Sequence, residues 1–594
     1  MSSAPKDEPT VPKWLIMLYL AGDNNLSSEM VRAIDDIATA GVPDNVAVTI
    51  QYDPVSPNSP PLRFELQPGS KLDTSRANFP IPLLNVEPRP TIKAIPKAEN
   101  SADPRVLSHF INASLKAFPP SAGFTHRMLV LSGHGSGAIG DFLTDQHATR
   151  GQPRSLTIPR LRDALEMVRK RLIKEEIAPP EPLIDILGMD SCLMSMAEIA
   201  YEVQDQVAYL VASEGFVPNA GWPYKLLLEG MRRRIDQAKK NGYTNLAELQ
   251  PQALCKGIVQ DYVRFYADYL SAGISVDIAA CDLSPDKLDR LAAAVKALTV
   301  ALLGEKGNSL NDDLKNSVVL AHWRAQSFLF EQHTDLWDFC DELSKQLPAE
   351  APDSVALADT TGNVAVAEIT PAVIAQFNRA RVVQPIEPIR LACAKVKQSI
   401  EDIILSQASS GIDFQYARGL SVYFPWALPI VNADRSHLLA HAKVKSVDKE
   451  NESFEVGGLD DYRQLKFAGE ASRWAHFVNR YVIDTMRLPR TFNGDQGSTE
   501  TLPEAIGRRL LAFGVEISTG PTEITDTEPQ SERLHDPAFG RFADFEKFAD
   551  FEKFADFEKF IHTFGGTLPF STKNPPQRVN LRLPDVPKKP AAQT

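Results

Sequence analysis

Residues 184–203 combine an apolar strand, a short turn and a helical pattern, and this combination strongly restricts how the chain can fold. The predicted strand, residues 184–189, is apolar apart from Asp185. A strand without polar alternation is expected to be buried on both faces, as in a parallel sheet. The turn after it carries Cys192. A helix is then predicted from apolar residues at helical spacing, namely Leu193, Met196, Ala197, Ala200 and Tyr201.

The same alternation of strands and helices recurs along the chain. Further strands are predicted at residues 15–20, 46–52, 128–131, 207–212, 276–281 and 420–424. Helices are predicted from about Ser27, with Ser27 or Ser28 as the cap, and at residues 104–118, 156–177 and 474–482. Residues 53–104 are rich in proline, and we expect a long loop with one strand at residues 63–66. The alternation predicts an α/β protein with a mostly parallel central sheet flanked by helices.

Composition changes at both ends and divides the chain of 594 residues. The predicted parts are a disordered leader (1–12), a folded domain (13–485) with a core (13–290) and an additional α/β subregion (291–485), and a largely disordered tail (486–594). The tail contains repeats of FADFEK at residues 542–560, with phenylalanine at every third position. Because a three-residue period drifts around an α-helix, no stable apolar face results, and we interpret the tract as low-complexity sequence.

Charge and hydropathy exclude several classes of protein. The net charge of −13 argues against a nucleic-acid binder that relies on general electrostatic attraction. The apolar run from Trp14 to Ala21 is shorter than the roughly 20 residues that span a bilayer. No membrane association is therefore expected. The polar N-terminus has no apolar signal core, which predicts a cytoplasmic location.

The cysteines are few and widely spaced. There are five, Cys192, Cys255, Cys281, Cys340 and Cys393, and they form neither a disulfide framework nor a zinc ribbon. His437 and His441 lie four residues apart, but no third metal ligand is apparent. We expect no metal site and no cofactor. No calcium-loop pattern occurs, and calcium dependence stays open.

Two strand ends carry residues suited to nucleophilic chemistry. Residues 127–137 read RMLVLSGHGSG, so a predicted strand ends in a glycine-rich turn that carries His134. Open α/β sheets bind ligands at this edge. Cys192 follows a later strand, and the N-terminus of the helix predicted directly after it would favour its thiolate. An imidazole nearby would make the thiol a nucleophile, whereas a structural role is the usual fate of a free cysteine.

The two motifs together resemble the clostripain family of cysteine peptidases. The resemblance lies first in LVLSGHGSG and GMDSCLMSM. Four further stretches follow the order of the family: LIMLYLAGDNNLSS, VASEGFVPNAGWPY, DLWDF and GLSVYFPW. Together the similar residues run from about Trp14 to Tyr481. The resemblance implies a caspase-like fold, related to caspases, legumains and gingipains. It implies Cys192 as nucleophile and His134 as general base and acid. By analogy, the backbone N–H groups of Gly135 and Cys192 would form the oxyanion hole. The resemblance implies a catalytic Cys/His dyad, and the sequence indicates no acidic third member.

The family resemblance also implies cleavage of protein or peptide substrates after arginine or lysine. Asp190 matches one acidic position of the primary pocket. The second acid is expected where this chain has Ala220, and Glu214 is a candidate substitute. Basic-residue specificity is therefore a hypothesis. Some family members cut themselves between the histidine and the cysteine, and Arg150 and Arg154 lie in a loop there. Self-cleavage near Arg150 is expected.

Three other interpretations of function stay open. GSGAIG, residues 135–140, matches the glycine pattern of a dinucleotide site, although no helical pattern opens directly from it. A non-catalytic caspase-like scaffold could bind its partner through residues 542–560. An intracellular protease kept inactive until an activating partner arrives would combine both roles. The main prediction is a cysteine endopeptidase that acts through an acyl-enzyme intermediate.

Overall fold

The structure is a computed structural model. It describes residues 11–55, 60–76, 86–94, 100–139, 142–149, 151–270, 273–304, 310, 312–328, 333–347, 386–425, 443–448, 453–457, 462–486, 516–518 and 580–582. The predictions for the first ten residues of the leader, for Arg150, for His437 and His441, and for the FADFEK repeats lie outside these residues.

A nine-stranded sheet forms the centre of the fold. Its strands are β1 (Trp14–Gly22), β2 (Val46–Pro54), β3 (Leu62–Leu66), β6 (Thr91–Ala94), β7 (His126–Ser132), β8 (Ile184–Asp190), β9 (Val207–Ala212), β10 (Val276–Asp282) and β13 (Ile404–Ser410). They lie in the order β13-β10-β9-β8-β7-β1-β2-β3-β6. The five strands from β9 to β2 are parallel, and two antiparallel strands extend the sheet on each side.

The remaining strands form small sheets outside the central sheet. β4 (Lys71–Leu72) pairs with β5 (Val86–Glu87), and β11 (Ser327–Phe328), β12 (His333–Asp335) and β14 (Ser421–Tyr423) form a three-stranded sheet. Two further two-stranded sheets pair β15 (Lys443–Asp448) with β16 (Ser453–Gly457), and β17 (Glu516–Ser518) with β18 (Asn580–Arg582).

Helices flank the central sheet. They are α1 (Ser27–Ala40), α2 (Pro104–Ala117), α3 (Ile158–Lys174), α4 (Ala197–Val203), α5 (Tyr224–Lys240), α6 (Pro251–Ala267), α7 (Pro285–Leu303), α8 (Asp312–Arg324), α9 (Leu336–Gln346), α10 (Ile386–Ile403) and α11 (Trp474–Met486). Helices α1, α5 and α6 cover one face, where Leu18, Val130 and Ile186 join one apolar core with Ile34 and Met231. Burial of such side chains stabilises each by about 1.5–3 kcal/mol.

By compactness the chain divides into two units. The first is Met1–Phe424 with Asp461–Phe477, and the second is Pro425–Asp460 with Val478–Thr594. The first unit contains the nine-stranded sheet and continues past residue 290, where the sequence analysis ended the core. The two-stranded sheets β15–β16 and β17–β18 belong to the second unit.

Most predicted elements are confirmed, and three details are wrong. The strand predicted at residues 63–66 is present as β3, but residues 53–104 also contain β6, which was not predicted and extends the central sheet. Neither Ser27 nor Ser28 caps α1, because the Ser27 hydroxyl instead contacts the hydroxyl of Tyr52 at 2.9 Å. Helix α4 begins five residues after Cys192 and not directly behind it. None of the described helices is both long and apolar enough to cross a bilayer.

Candidate active site

The turns that carry His134 and Cys192 lie next to each other because their strands are neighbours in register. Strands β7 and β8 are parallel, and Ser132 is paired with Asp190 at their carboxyl ends. The N–H of Gly133 then donates to the carbonyl of Asp190 at 3.2 Å. His134 and Cys192 each follow two residues beyond this last pair. The two side chains predicted to carry the chemistry therefore reach the same edge of the sheet.

Gly135 allows the two turns to approach each other closely. A Cβ atom at this position would lie 2.4 Å from the backbone carbonyl oxygen of Cys192 and 3.1 Å from Cβ of Ser191. Gly135 also forms a bridge to Phe142, and the N–H of Leu143 donates to the carbonyl of His134 at 3.0 Å. The histidine turn is thus packed against the cysteine turn by backbone contacts.

Backbone pairing around Cys192 explains why α4 starts late. The N–H groups of Leu193 and Ser195 donate to the carbonyls of Gly215 and Ser213, each at 2.9 Å. These bonds hold the chain beside the segment after β9, where it cannot be helical. Leu193 has a φ of 65°, which is uncommon for a non-glycine residue and recurs at functional sites. The expectation that a helix N-terminus stabilises the Cys192 thiolate is therefore wrong.

The thiol of Cys192 contacts the loop that follows β9. The N–H of Val217 donates to Sγ at 3.3 Å, and the thiol donates to the carbonyl of Val217 at 3.6 Å. Cys192 is half-buried, whereas the other four cysteines are buried. Val217 thus holds the sulfur at the rim of the site while leaving it reachable.

Burial makes the neutral forms of both side chains the stable ones. It raises the pKa of the Cys192 thiol to about 12 and lowers the pKa of His134 to about 3. Both directions follow from desolvation, which disfavours charge. The resting pair is therefore a neutral thiol and a neutral imidazole, and His134 is free of a competing proton at neutral pH.

Asp190 faces the loop that carries Ala220. Its Oδ1 accepts the N–H of Trp222 at 3.0 Å, and its Oδ2 accepts the hydroxyls of Ser132 at 3.0 Å and Tyr224 at 2.7 Å. Burial raises the pKa of this carboxyl to about 6. A Cβ at Gly221 would lie 2.9 Å from the Oδ2 atom. Ala220 precedes Gly221 and is partly exposed, so the contact at Gly221 brings the two predicted pocket positions into the same region.

Glu214 does not reach this pocket. Its side chain is completely buried, and Oε2 accepts the N–H of Gly419 at 2.7 Å. Its backbone N–H donates to Oδ2 of Asp277 at 2.7 Å. The proposed substitution of Glu214 for the missing acid at position 220 is not supported by this position. The carboxyl instead joins the 213–217 loop to the chain before β14.

Glu214 belongs to a buried group of acids beside Asp277 and Asp335. Burial, followed by the charges of Asp335 and Asp277, raises the pKa of Glu214 well above its ordinary value of 4.5. Burial also raises the pKa of Asp277 to about 6 and that of Asp335 to about 7. The folded state therefore holds protons that the unfolded chain releases near pH 4.

Stability should consequently fall as the pH rises. The stabilising effect of these protons is complete below about pH 4 and is lost as the pH passes through 6 and 7. Glu214→Gln removes one titrating group, so we expect a smaller fall in the free energy of unfolding between pH 5 and 8. Urea unfolding at both values measures it, with the exposed Glu248→Gln as control. A fall equal to that of wild type would contradict this assignment.

Gly137 is the tightest point of the histidine turn. Its φ is +81°, and a Cβ there would lie 2.3 Å from Cε1 of the buried His333. We expect Gly137→Ala to destabilise the protein by about 3 kcal/mol and to lower activity, because steric overlap adds to the backbone strain. Urea unfolding and peptide turnover measure the two effects.

Gly242→Ala provides the matched control for this substitution. Gly242 also has a positive φ, +60°, but a Cβ there meets no atom within 4 Å. Strain alone should cost about 1–2 kcal/mol there and leave activity unchanged. Equal losses of stability for the two variants would show that contact with His333 is unimportant.

A residue that the sequence analysis did not assign contacts His134 directly. Oδ1 of Asn25 lies 2.7 Å from Nε2 of His134. Asn25 follows β1, the strand next to β7, so its place at the same sheet edge was the available signal. In the part of the chain that the structure describes, no three His, Cys, Asp or Glu side chains are grouped as metal ligands.

Comparison with known proteins defines the class of protein. The family model described as the clostripain family matches residues 18–400, more than half of the chain. The protein belongs to the clostripain family of cysteine proteases, as the resemblance of its motifs predicted. The mixed α/β architecture with its large, mostly parallel sheet confirms the predicted fold class. A comparison with curated proteins found no match.

Two solved structures illustrate the similarity. A secreted C11 cysteine protease from Bacteroides thetaiotaomicron, in complex with an irreversible peptide inhibitor, is 15% identical, with 78% of this chain and 99% of that chain covered and a TM-score of 0.45. An inactive zymogen C11 protease from Parabacteroides distasonis is 17% identical, with 78% and 99% covered and a TM-score of 0.46.

Proposed function

We propose that the protein is a cysteine endopeptidase with Cys192 as nucleophile and His134 as general base and acid. The single observation that carries this proposal is the parallel register of β7 and β8, which brings the two turns together. Its family membership adds the reaction class, hydrolysis in protein or peptide substrates. The other four cysteines are buried and therefore less suited to meet a substrate.

The neutral resting pair suits a concerted first step. His134 accepts the thiol proton as the sulfur of Cys192 attacks the scissile carbonyl carbon. The carbonyl becomes an oxyanion, for which we propose the backbone N–H groups of Gly135 and Cys192 as donors. The imidazolium then protonates the leaving amine, and a thioester remains. Water attacks the thioester with His134 again as base, releasing the acid and the free thiol.

We propose a preference for arginine or lysine before the scissile bond, with Asp190 as the acidic group and Ala220 at the pocket rim. The position of the Asp190 carboxylate against Gly221 supports this assignment. Its three hydrogen bonds leave one of about four acceptor positions for a guanidinium. Above a pH of about 6 the carboxyl is ionised and attracts a cation.

Self-processing near Arg150 is also proposed. Arg150 lies between Thr149 and Gly151 in the segment that connects His134 to α3. Intact mass measurement on wild type and Cys192→Ala tests it. Two fragments that meet near residue 150 are expected from wild type alone. Wild type that stays at full length while it turns over peptides would contradict the proposal.

Covalent labelling tests the nucleophile and the pocket together. A peptide acyloxymethyl ketone ending in arginine should form one adduct, on Cys192, and none with Cys192→Ala. Peptide mapping by mass spectrometry locates the adduct. Labelling only with uncharged or acidic warheads would keep the peptidase and reject basic specificity. No labelling by any warhead would favour a scaffold that acts through residues 542–560, or an enzyme that needs an activating partner.

A further inference from the structure

Asn25 contacts the candidate base, His134, directly. Oδ1 of Asn25 lies 2.7 Å from Nε2 of His134, a normal hydrogen-bond distance. Asn25 is partly exposed, whereas His134 is buried. An amide oxygen can only accept a hydrogen bond, so this contact places the proton of a neutral imidazole on Nε2.

We propose that Asn25 is a positioning residue that fixes the tautomer and orientation of His134. With Nε2 protonated and bonded to Asn25, the neutral imidazole carries its basic lone pair on Nδ1, and we assign to Nδ1 the proton of the Cys192 thiol. The proposal rests on the proposed peptidase function. It replaces the simple dyad with a base that is oriented by a third side chain, a role that elsewhere falls to a carboxylate or an amide.

The loop that carries Asn25 is built to hold this oxygen in place. Asn24 is completely buried, and its Nδ2 donates to the carbonyls of Ala21 at 2.8 Å and Thr144 at 3.0 Å. Its Oδ1 accepts the N–H of Leu26 at 2.9 Å. Asn25 is therefore flanked by a residue with three hydrogen bonds and by the start of α1. A loop held in this way keeps the acceptor aligned without help from the substrate.

The same loop is attached to the segment that follows His134. Besides the bond from Asn24 to Thr144, the N–H of Gln146 donates to the carbonyl of Asp23 at 2.9 Å. His147 contacts Asp23 through its backbone N–H at 3.1 Å and its Nδ1 at 2.5 Å. Asn25 and His134 thus belong to two segments that are joined at several points, and the distance between them is held.

The electrostatic need for this contact follows from burial. Burial lowers the pKa of His134 to about 3, so the imidazolium formed during catalysis is unstable unless a dipole or charge faces it. The oxygen of Asn25 supplies such a dipole. The titratable groups on the segments packed beside the turn of His134, whose charges, where present, act on the imidazolium, are Asp23, Asp145, His147, Asp190, Cys192 and His333.

Steady-state kinetics of the full chain tests the role of Asn25. Asn25→Ala is expected to lower kcat by about 10- to 100-fold with KM within about twofold of wild type, because orientation of the base matters only in the chemical step. Asn25→Asp should recover most of kcat. Its carboxylate favours the imidazolium, so the acidic limb of the kcat/KM profile should move to higher pH. Asn245→Ala is the matched control, an exposed asparagine that accepts one backbone N–H, and should behave as wild type.

NMR of the ¹⁵N-histidine-labelled chain separates this inference from the proposed function. The His134 signals, assigned with His134→Gln, should show the Nε2–H tautomer in wild type, and Asn25→Ala should shift them. An Nδ1–H tautomer in wild type would overturn the inference, whether or not the protein hydrolyses peptides. So would an Asn25→Ala variant with wild-type kcat, or with higher kcat, which would make Asn25 a restraint on the base. The Nε2–H tautomer in a protein that labels with no warhead would support the inference and count only against a peptidase that is active without a partner.

Discussion

Cys192→Ala and His134→Ala are each expected to lower kcat by about 10⁴-fold or more, with the fold intact. The nucleophile and its base act in one step, so loss of either member removes nearly all of the chemical contribution. Both positions lie in turns beyond the paired ends of β7 and β8, and neither side chain supports the apolar core. Peptide turnover, with thermal unfolding to confirm folding, measures the effect.

The double variant makes this prediction sharper. If the two side chains act as a unit, Cys192→Ala/His134→Ala should be about as inactive as either single variant. Cys255→Ala serves as the control for removing a thiol, because Cys255, on α6, is buried in the apolar core. It should lose some stability but keep activity. Multiplicative losses in the double variant, or full activity in His134→Ala, would refute a shared step.

Asp190→Asn is expected to keep the fold and abolish the preference for basic residues. An asparagine fits the same hydrogen bonds. Its Oδ1 can accept the N–H of Trp222, and its NH₂ group can donate to the hydroxyls of Ser132 and Tyr224 where Oδ2 now accepts. The change therefore removes the charge and reverses the direction of the two hydroxyl hydrogen bonds, but keeps the size of the side chain. We expect kcat/KM for arginine substrates to fall by about 10- to 100-fold and that for uncharged substrates to change little.

Asp190→Ala is the structural counterpart. It leaves three buried donors without their acceptor, so we expect a loss of about 2–4 kcal/mol in the free energy of unfolding. The pH dependence of stability gives a second measure. Because burial raises the pKa of Asp190 to about 6, its protonated form stabilises the fold below about pH 4, and this contribution is lost as the pH rises through 6. Asp190→Asn should lack this component. Unchanged preference for arginine in Asp190→Asn would mean that the carboxyl only supports the loop.

The sheet could be predicted because its central strands have a recognisable local sequence pattern. β7 and β8 are apolar runs that end in short turns, and the alternation with helices leaves few topologies. Parallel order then brings their carboxyl ends together, so the neighbourhood of His134 and Cys192 followed from the sequence. The strands inside residues 53–104 were largely missed because proline-rich edge strands carry a weak periodic pattern.

The amino-acid sequence by itself determined the α/β class, the mostly parallel sheet and the two turns that carry His134 and Cys192, since these follow from local apolar pattern and strand direction. Only the tertiary structure decided what touches those turns. Asn25 and His134 are 109 residues apart, and Glu214 and Gly419 are 205 apart. Such contacts depend on side-chain direction and strand order across the whole sheet, which no local pattern encodes. Side-chain direction and strand order also explain why Glu214 is buried, whereas Asp190 faces the loop of Ala220.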